Sequence, residues 1–452
     1  MDRGAWELGG KLNVGLFFST AKRKPQPAPR RLPALESPLM PAQTRTLASG
    51  LTVAFERRAT PGFSFHLRLP LGSAHDPAGQ EGTAGLVEEW LYKGAGAFSA
   101  RQFQDALDDL GVRRGGGIDA EATYFSGSGL NEDLSGALRL YADLLRRPHL
   151  PAGELPVLLD LARQDLESSQ DNPAERLGLE ARRMVFGTSG YAHPTSGTVQ
   201  GLSQITPDTA RAFWQRYGAG GSILSVVADT QAEAVFDLAD ELFGDWQTAD
   251  TEPVPLTPML GTTSHLKGDS QQTHFTFTGR GISPLSPDWL AWHLSLTALS
   301  GGSASRLFQA VREDRGLAYS VHAGPQVVGG VGLISGYAAS TPQRAPETLS
   351  VMLGELRRWQ AGLEGAEFDR AKNALMASTV FGSESIRARS GGMARDLAVF
   401  GRVREASEMR TEIAELTLER VNTFLSGYDL GELSLASLGP VPLSLKAEAA
   451  HV

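Results

Sequence analysis

The stretch Gly82-Thr83-Ala84-Gly85-Leu86-Val87-Glu88-Glu89-Trp90-Leu91-Tyr92-Lys93-Gly94 decides how this chain is read. Its apolar residues recur at helical spacing: Ala84, Val87 and Leu91 share one face, with Leu86 and Trp90 beside them. Gly85, Glu88, Glu89 and Tyr92 fall on the other side. Positions 85, 88 and 89 stand at i, i+3 and i+4, the spacing at which helical side chains converge on one point. A second helix follows. Ser99 is its N-cap and Gln102 closes a capping box. Phe103, Ala106, Leu107 and Leu110 form its buried stripe, and Gly111 stops it.

Upstream, Leu51, Val53 and Phe55 alternate with polar residues, as do Phe63, Phe65, Leu67 and Leu69 with Ser64, His66 and Arg68. This is the period-2 sign of half-buried strands, with His66 on the polar and therefore solvated face. Downstream come a strand at Ala122 to Ser126, a helix at Leu134 to Leu145 and a buried strand at Ser222 to Ala228. The Pro-rich, aperiodic stretch 248–263 reads as a linker. Beyond it the same order restarts: strand His274 to Gly279, helices Trp289 to Leu299 and Ser305 to Arg312, strands Ala318 to Ala323 and Val331 to Ala339, helix Ser350 to Trp359. A long helical stretch runs from Glu367. Two homologous halves of α+β class are expected. Each is an antiparallel-rich sheet with packed helices, and together they are clam-like. The domains are a non-core extension at 1–39, a first domain at 40–247, the linker at 248–263 and a second domain at 264–452.

Composition narrows the function. The 452 residues hold 51 acidic and 42 basic side chains, a net charge of −9, which argues against a general nucleic-acid surface. No apolar run approaches the roughly 18 residues of a membrane span. With no cysteine, disulfides, thiolate metal sites and cysteine nucleophiles are excluded. The nine histidines include no pair at i, i+3 or i+4, so no compact zinc pair exists. In the extension, cationic residues from Lys22 to Arg31 lie among prolines and can bury no core, which reads as disorder. Leu12 to Ala21, after Arg3 and Lys11, has the outline of a poor signal peptide. A start upstream of the true one is the plainer reading, since folded-looking sequence begins after Met40. A cytoplasmic location is expected, with a periplasmic or exported one as the alternative.

The segment 82–94 resembles the signature helix of the pitrilysin-type (inverzincin) zinc peptidases, whose active members read H-x-x-E-H, two histidines holding zinc and the glutamate serving as general base. Here Gly85 and Glu89 occupy the two histidine positions, and Glu88 alone matches. The family's third ligand, a Glu ahead of an Asp-x-Pro sequence, corresponds to Asp165 when Asp171-Asn172-Pro173 is the anchor. The resemblance therefore implies no zinc in this chain. Three carboxylates would suit a hard cation better, and a solvated acidic patch is the plainer reading of them. An Asn-rich strand edge that grips peptide in active relatives is replaced by Arg114-Gly115-Gly116-Gly117-Ile118, which reads as a flexible loop or as an edge open to close backbone approach.

The second half holds a more specific likeness. Residues Gly301-Gly302-Ser303-Ala304-Ser305-Arg306-Leu307-Phe308-Gln309-Ala310-Val311-Arg312-Glu313, leading into Gly316-Leu317-Ala318-Tyr319-Ser320-Val321, are very similar to the family's C-terminal motif. Ala192-His193-Pro194 and Phe368-Asp369-Arg370-Ala371-Lys372 extend the likeness. Arg306 reads as a helix-surface ion pair. In the bacterial two-subunit members, an Arg and a Tyr at positions 312 and 319 reach across to the substrate held by the zinc subunit. A guanidinium offers forked donors and a phenol can donate to an oxyanion. The resemblance thus implies a peptide-binding, non-catalytic subunit that supplies Arg312 and Tyr319, with zinc in a homologous partner carrying the intact motif. The alternative is a scaffold or peptide-binding protein with no catalytic role. An enzyme working through a carboxylate metal site alone is a third reading, weakened because Gly85 offers no ligand.

Overall fold

The computed structural model describes residues 41–247 and 251–445. The extension at 1–39, with its apolar run, and linker residues 248–250 lie outside the described residues. The first half begins with β1 (Gln43–Thr46), β2 (Thr52–Arg57), β3 (Gly62–Leu69) and α1 (Thr83–Leu91). A ribbon of β4 (Gly94–Ala95) and β5 (Phe98–Ser99) leads to α2 (Ala100–Asp109), β6 (Arg113–Ile118) and β7 (Thr123–Leu130). Helices α3 (Leu134–Arg146), α4 (Leu155–Gln170), α5 (Pro173–Phe186), α6 (Val199–Gln204) and α7 (Pro207–Trp214) precede β8 (Ile223–Ala228) and α8 (Ala232–Phe243). Residues 251–262 hold no helix or strand, and Thr263 opens β9 (Thr263–Lys267). Then come β10 (Thr273–Arg280), α9 (Trp289–Ser300), β11 (Ser320–Val328), β12 (Val331–Ser340) and α10 (Ala345–Gln360). The chain closes with α11 (Gly365–Glu384), α12 (Ile386–Phe400), α13 (Ala406–Glu415), α14 (Leu418–Gly427) and β13 (Ser434–Gly439).

The sheets carry the duplication. One runs β1-β2-β8-β3-β7-β6; the other, taken from its far edge, runs β9-β13-β10-β12-β11. With β1 set aside, β2, β3, β6, β7 and β8 correspond in order to β9, β10, β11, β12 and β13. In each sheet the first and last of these strands pair in parallel, and the other pairs are antiparallel. A parallel pair needs a long crossover, and most of each half is that crossover. The α+β class and the two homologous halves expected from the sequence are what the molecule holds.

The cores lie on the helix-covered faces. Phe63, Phe65, Leu67 and Leu69 of β3 pack with Trp90, Leu107 and Tyr141, and Phe275 and Phe277 of β10 with Trp292, Leu353 and Trp359. Burying a side chain of this size stabilises by about 1.5–3 kcal/mol. The opposite faces overturn one expectation. His66 is half-buried and not on an open face, because α12 of the second half lies across β3 and β8. The Ser64 hydroxyl sits 3.0 Å from that of Ser390, and Ser225 Oγ donates to the Ser390 carbonyl at 2.6 Å. His66 stacks on Tyr124 with ring centres 5.6 Å apart. Burial, with Arg395 beside it, pushes its pKa down to about 4. Alternation in one strand cannot distinguish water from a covering helix that brings small polar groups.

The exchange is reciprocal. Helix α5 of the first half packs Leu177 against Ala436 and Leu438 of β13. On the first sheet the exchange is locked by charge. Glu56, 1% exposed, accepts from Arg58 Nε and from Arg389 Nε of α12, both at 2.6 Å.

Of the two readings of the glycine-rich segment the structure takes the edge: Arg113–Ile118 is β6, the edge strand of the first sheet. The helix expected at Ser305 to Arg312 widens into π turns over Phe308–Glu313, with Asp314 N bonding Gln309 O five residues back at 2.9 Å.

Candidate functional site

Helix α1 is anchored at its start by Asp76. Its two carboxylate oxygens accept from Gly82 N and Ala84 N, each at 2.7 Å, and so take up two of the donors that a helix start leaves open. Burial pushes this carboxyl up to about 7 against the pull of those N–H groups. Near the other end, Trp90 Nε1 donates to the Pro151 carbonyl at 3.0 Å. The orientation of positions 85, 88 and 89 is therefore fixed by groups outside the motif.

Glu88 is turned inward and is 7% exposed. Its Oε1 lies where β6 passes closest: a Cβ on Gly116 would stand 2.8 Å from it and 3.1 Å from the Tyr124 carbonyl oxygen. Glycine at 116 is what lets the edge strand close over the carboxyl. Burial first, and Glu89 second, push the Glu88 pKa up to about 7, while Arg114 pulls it down. The Arg114 guanidinium lies 4.8 Å over the Tyr92 ring.

The remaining motif positions do not gather. Glu89 and Asp165 are exposed, on α1 and α4. Gly85 has no side chain, and a Cβ there would meet Ile118 Cδ1 at 3.4 Å and Thr195 O at 3.5 Å, which is ordinary contact. Among the described residues no group of three His, Cys, Asp or Glu side chains comes together as a metal-binding set. Zinc prefers nitrogen or thiolate ligands in a tight tetrahedron, and the donors here do not fit it.

Arg312 and Tyr319, by contrast, are brought together. The π turns and the bend at Gly316 fold the strand start back over the helix. The Arg312 guanidinium carbon lies 4.3 Å from the Tyr319 ring centre and 4.8 Å from that of Phe308. Nη1 also reaches the Tyr319 carbonyl at 3.4 Å. Tyr319 is 78% exposed, and its hydroxyl has no partner among the described residues. Widened helical turns of this kind are frequent at functional sites. Arg306 is different. It forms a forked pair with Glu367, Nε to Oε1 at 2.7 Å and Nη2 to Oε2 at 2.6 Å; the ion pair read from the sequence is present, but it is largely buried and not on the surface.

Sequence reasoning passed over one feature. Helix α5 and the second sheet enclose a cleft of about 570 Å³ lined by Arg182, Thr276, Thr278, His322, Gln326, Ser335 and others. The alternation of His274, Thr276 and Thr278 in β10 was its visible signal, but α5 comes from the other half and no local pattern joins them.

Comparison with known proteins agrees with this architecture. Residues 52–198 match the family model described as insulinase (peptidase family M16), and residues 204–375 match the model described as peptidase M16 inactive domain. An uncharacterized zinc protease of Mycobacterium tuberculosis is 28% identical over 426 residues, covering 91% of this chain and 96% of that protein. One from Bacillus subtilis is 23% identical over 401 residues, covering 87% and 97%. Two solved structures share the fold. A peptidase M16 inactive domain from Pseudomonas fluorescens has a TM-score of 0.81 at 24% identity, with 90% of this chain and 100% of that one covered. A protease from Helicobacter pylori also has a TM-score of 0.81, at 17% identity, with 88% and 99% covered. The two matched models follow one another along the duplicated halves, and the chain belongs to the insulinase-type peptidase family M16.

Proposed function

We propose that this chain is the non-catalytic, substrate-binding subunit of a heterodimeric zinc endopeptidase that acts on peptides. The observation that carries this reading is the contrast between two motifs. The metal helix lacks side chains that could hold zinc, whereas Arg312, half-buried, and Tyr319, exposed, are stacked on one another and open to a ligand. In this reading a homologous subunit with the intact His-x-x-Glu-His helix brings the zinc, which polarises the scissile carbonyl. From this chain, the Arg312 fork holds peptide carbonyls or carboxylates, and the Tyr319 hydroxyl donates to the oxyanion formed as water adds. No helix among the described residues is long and apolar enough to cross a membrane.

The test is reconstitution. The lone chain should show no peptidase activity, and activity should appear on mixing with a zinc-motif homologue. Metal-dependent turnover by the lone chain, lost in Glu88→Gln, would overturn the reading. Activity of the partner that is indifferent to this chain would favour a scaffold instead.

A further inference from the structure

Helix α5 is one helix lying over part of a five-stranded sheet. A helix is about 10–12 Å wide, and strands are spaced about 4.8 Å apart, so it covers only half of the sheet's breadth. Under the helix, Leu177 packs on Ala436 and Leu438, and Ser264 of β9 donates to Glu180 of α5. The strip left open on β10, β12 and β11 is polar and floors the cleft of about 570 Å³, well within the size range of small-ligand sites.

Two observations on that cleft point to a ligand. The first is Arg182. It stands on the cleft side of α5, half-buried, with no carboxylate partner among the described residues and one long hydrogen bond, Nη1 to the Tyr191 carbonyl at 3.4 Å. Burial alone lowers its pKa, with no neighbouring charge to oppose the loss. The contrast with the other exchanged helix is direct: buried Arg389 of α12 is neutralised by Glu56 at 2.6 Å. The second observation is a set of polar side chains that line the same cleft as Arg182. Thr276, Thr278, Ser335, His322 and Gln326 line the cleft and make no side-chain hydrogen bond among the described residues. Tyr337 is paired with His274, OH to Nδ1 at 2.9 Å. The Nδ1–H tautomer of His274 would donate to that oxygen and free the hydroxyl proton for the cleft. Glu175, the one carboxylate of the lining, accepts from Asn172 Nδ2 at 2.8 Å near the start of α5.

We propose that this cleft is a carboxylate-binding site, with Arg182 as its charged anchor and the hydroxyls of Thr276, Ser335 and Tyr337 as neutral donors. A single guanidinium balances a single carboxylate and matches it in a planar fork. The carboxylate is either the C-terminus of a peptide or an acidic side chain within one. The site stands on residues of its own and does not rest on the roles proposed for Arg312 and Tyr319.

The experiment is calorimetric titration of the lone chain with three N-acetylated tripeptides: trialanine as the free acid, trialanine amide, and Ala-Glu-Ala amide. At least one acid-bearing peptide should bind at millimolar concentration, and the neutral amide at least about tenfold more weakly, as loss of a charge-assisted pair implies. Binding of the free acid alone identifies a C-terminal carboxylate; binding of the Glu peptide as well identifies any acidic group. Arg182→Gln should bring the acid peptides down to the level of the neutral amide, Arg182→Lys should fall between, and Arg101→Gln, which removes an exposed cation of α2, should leave binding unchanged. Equal binding of acid and amide by the unaltered protein, no binding of either acid peptide, or indifference to Arg182→Gln would each refute the site. Should Arg182→Gln fail to fold, Arg182→Lys keeps the charge and most of the bulk and must still weaken the acid peptides, because the planar fork is lost.

Discussion

Arg312 lies with its guanidinium carbon 4.3 Å from the centre of the Tyr319 ring, and the same side chain spans to Phe308 at 4.8 Å. Stacking between them holds the phenol outward, at 78% exposure, with its hydroxyl free of protein partners among the described residues. A cation over an aromatic face at an exposed site contributes about 0.5–1 kcal/mol, enough to bias the tyrosine toward one orientation.

The first prediction follows from that pair. In the reconstituted complex, Tyr319→Phe should lower kcat/KM by roughly tenfold to a hundredfold, at or below the low end for an oxyanion donor, because zinc already polarises the carbonyl. Arg312→Ala should raise KM more than it lowers kcat, since its fork holds substrate as well as transition state. Neither should dissolve the dimer. Steady-state kinetics with several peptides decide it: unaltered constants in both variants would make the pair structural.

Metal content is the second. Purified chain should hold well below one zinc, and Gly85→His/Glu89→His should raise its zinc content by restoring an i, i+4 histidine pair. Room exists for the change, since a Cβ at position 85 makes only ordinary contacts at 3.4 Å and 3.5 Å. Elemental analysis reads both; about one tightly held zinc in the unaltered chain would count against the reading of this helix.

The third concerns pH. The Glu88 carboxyl is pushed from 4.5 up to about 7 in the fold. A raised acid contributes stability that is fully present below its unfolded value and is lost as pH rises through the folded one. Replacing Glu88 by Gln should therefore cost little near pH 4.5 and stabilise the protein, relative to the unaltered chain, by roughly 3 kcal/mol at pH 8. Urea midpoints from pH 5 to 8 should converge at the acid end; parallel curves would show that Glu88 titrates normally.

Gly116 supplies the fourth. Its replacement by Ala brings a methyl to 2.8 Å from Glu88 Oε1, a close approach whose relief should cost about 1–3 kcal/mol. In a Glu88→Ala background the same change should be milder. A double-mutant cycle measured by denaturant unfolding would show coupling near zero if the two residues did not touch.

A fifth tests the exchanged helices. Arg389→Ala strips buried Glu56 of one of its two cations. Breaking such a buried pair destabilises by about 3–5 kcal/mol, and Glu56→Gln should offset part of the loss. Thermal unfolding of the single and double variants gives the answer, and a harmless Arg389→Ala would show that α12 is held without this ion pair.

Much of this was legible in the sequence because it is local. Helical spacing from Ala84 to Leu91, the Ser99–Gln102 capping box and the alternation in β3 each depend on neighbours a few residues apart, and each lies where it was read. The absence of side-chain nitrogen at positions 85 and 89 is likewise a property of the sequence. Tertiary structure decided what faces these elements. His66 became half-buried because α12 arrives from 320 or more residues along the chain, and the glycines of β6 became an edge strand because β7 pairs with them. Arg182 reads as an ordinary helix-surface cation until α5 is laid on the other half's sheet, beside the polar strip of Thr276 and Ser335. Local pattern sets which elements form, through steric and hydrogen-bonding preferences over a turn or two. Which polar face meets water and which meets another helix is set by long-range exchange between the halves, and no short window of sequence carries that information.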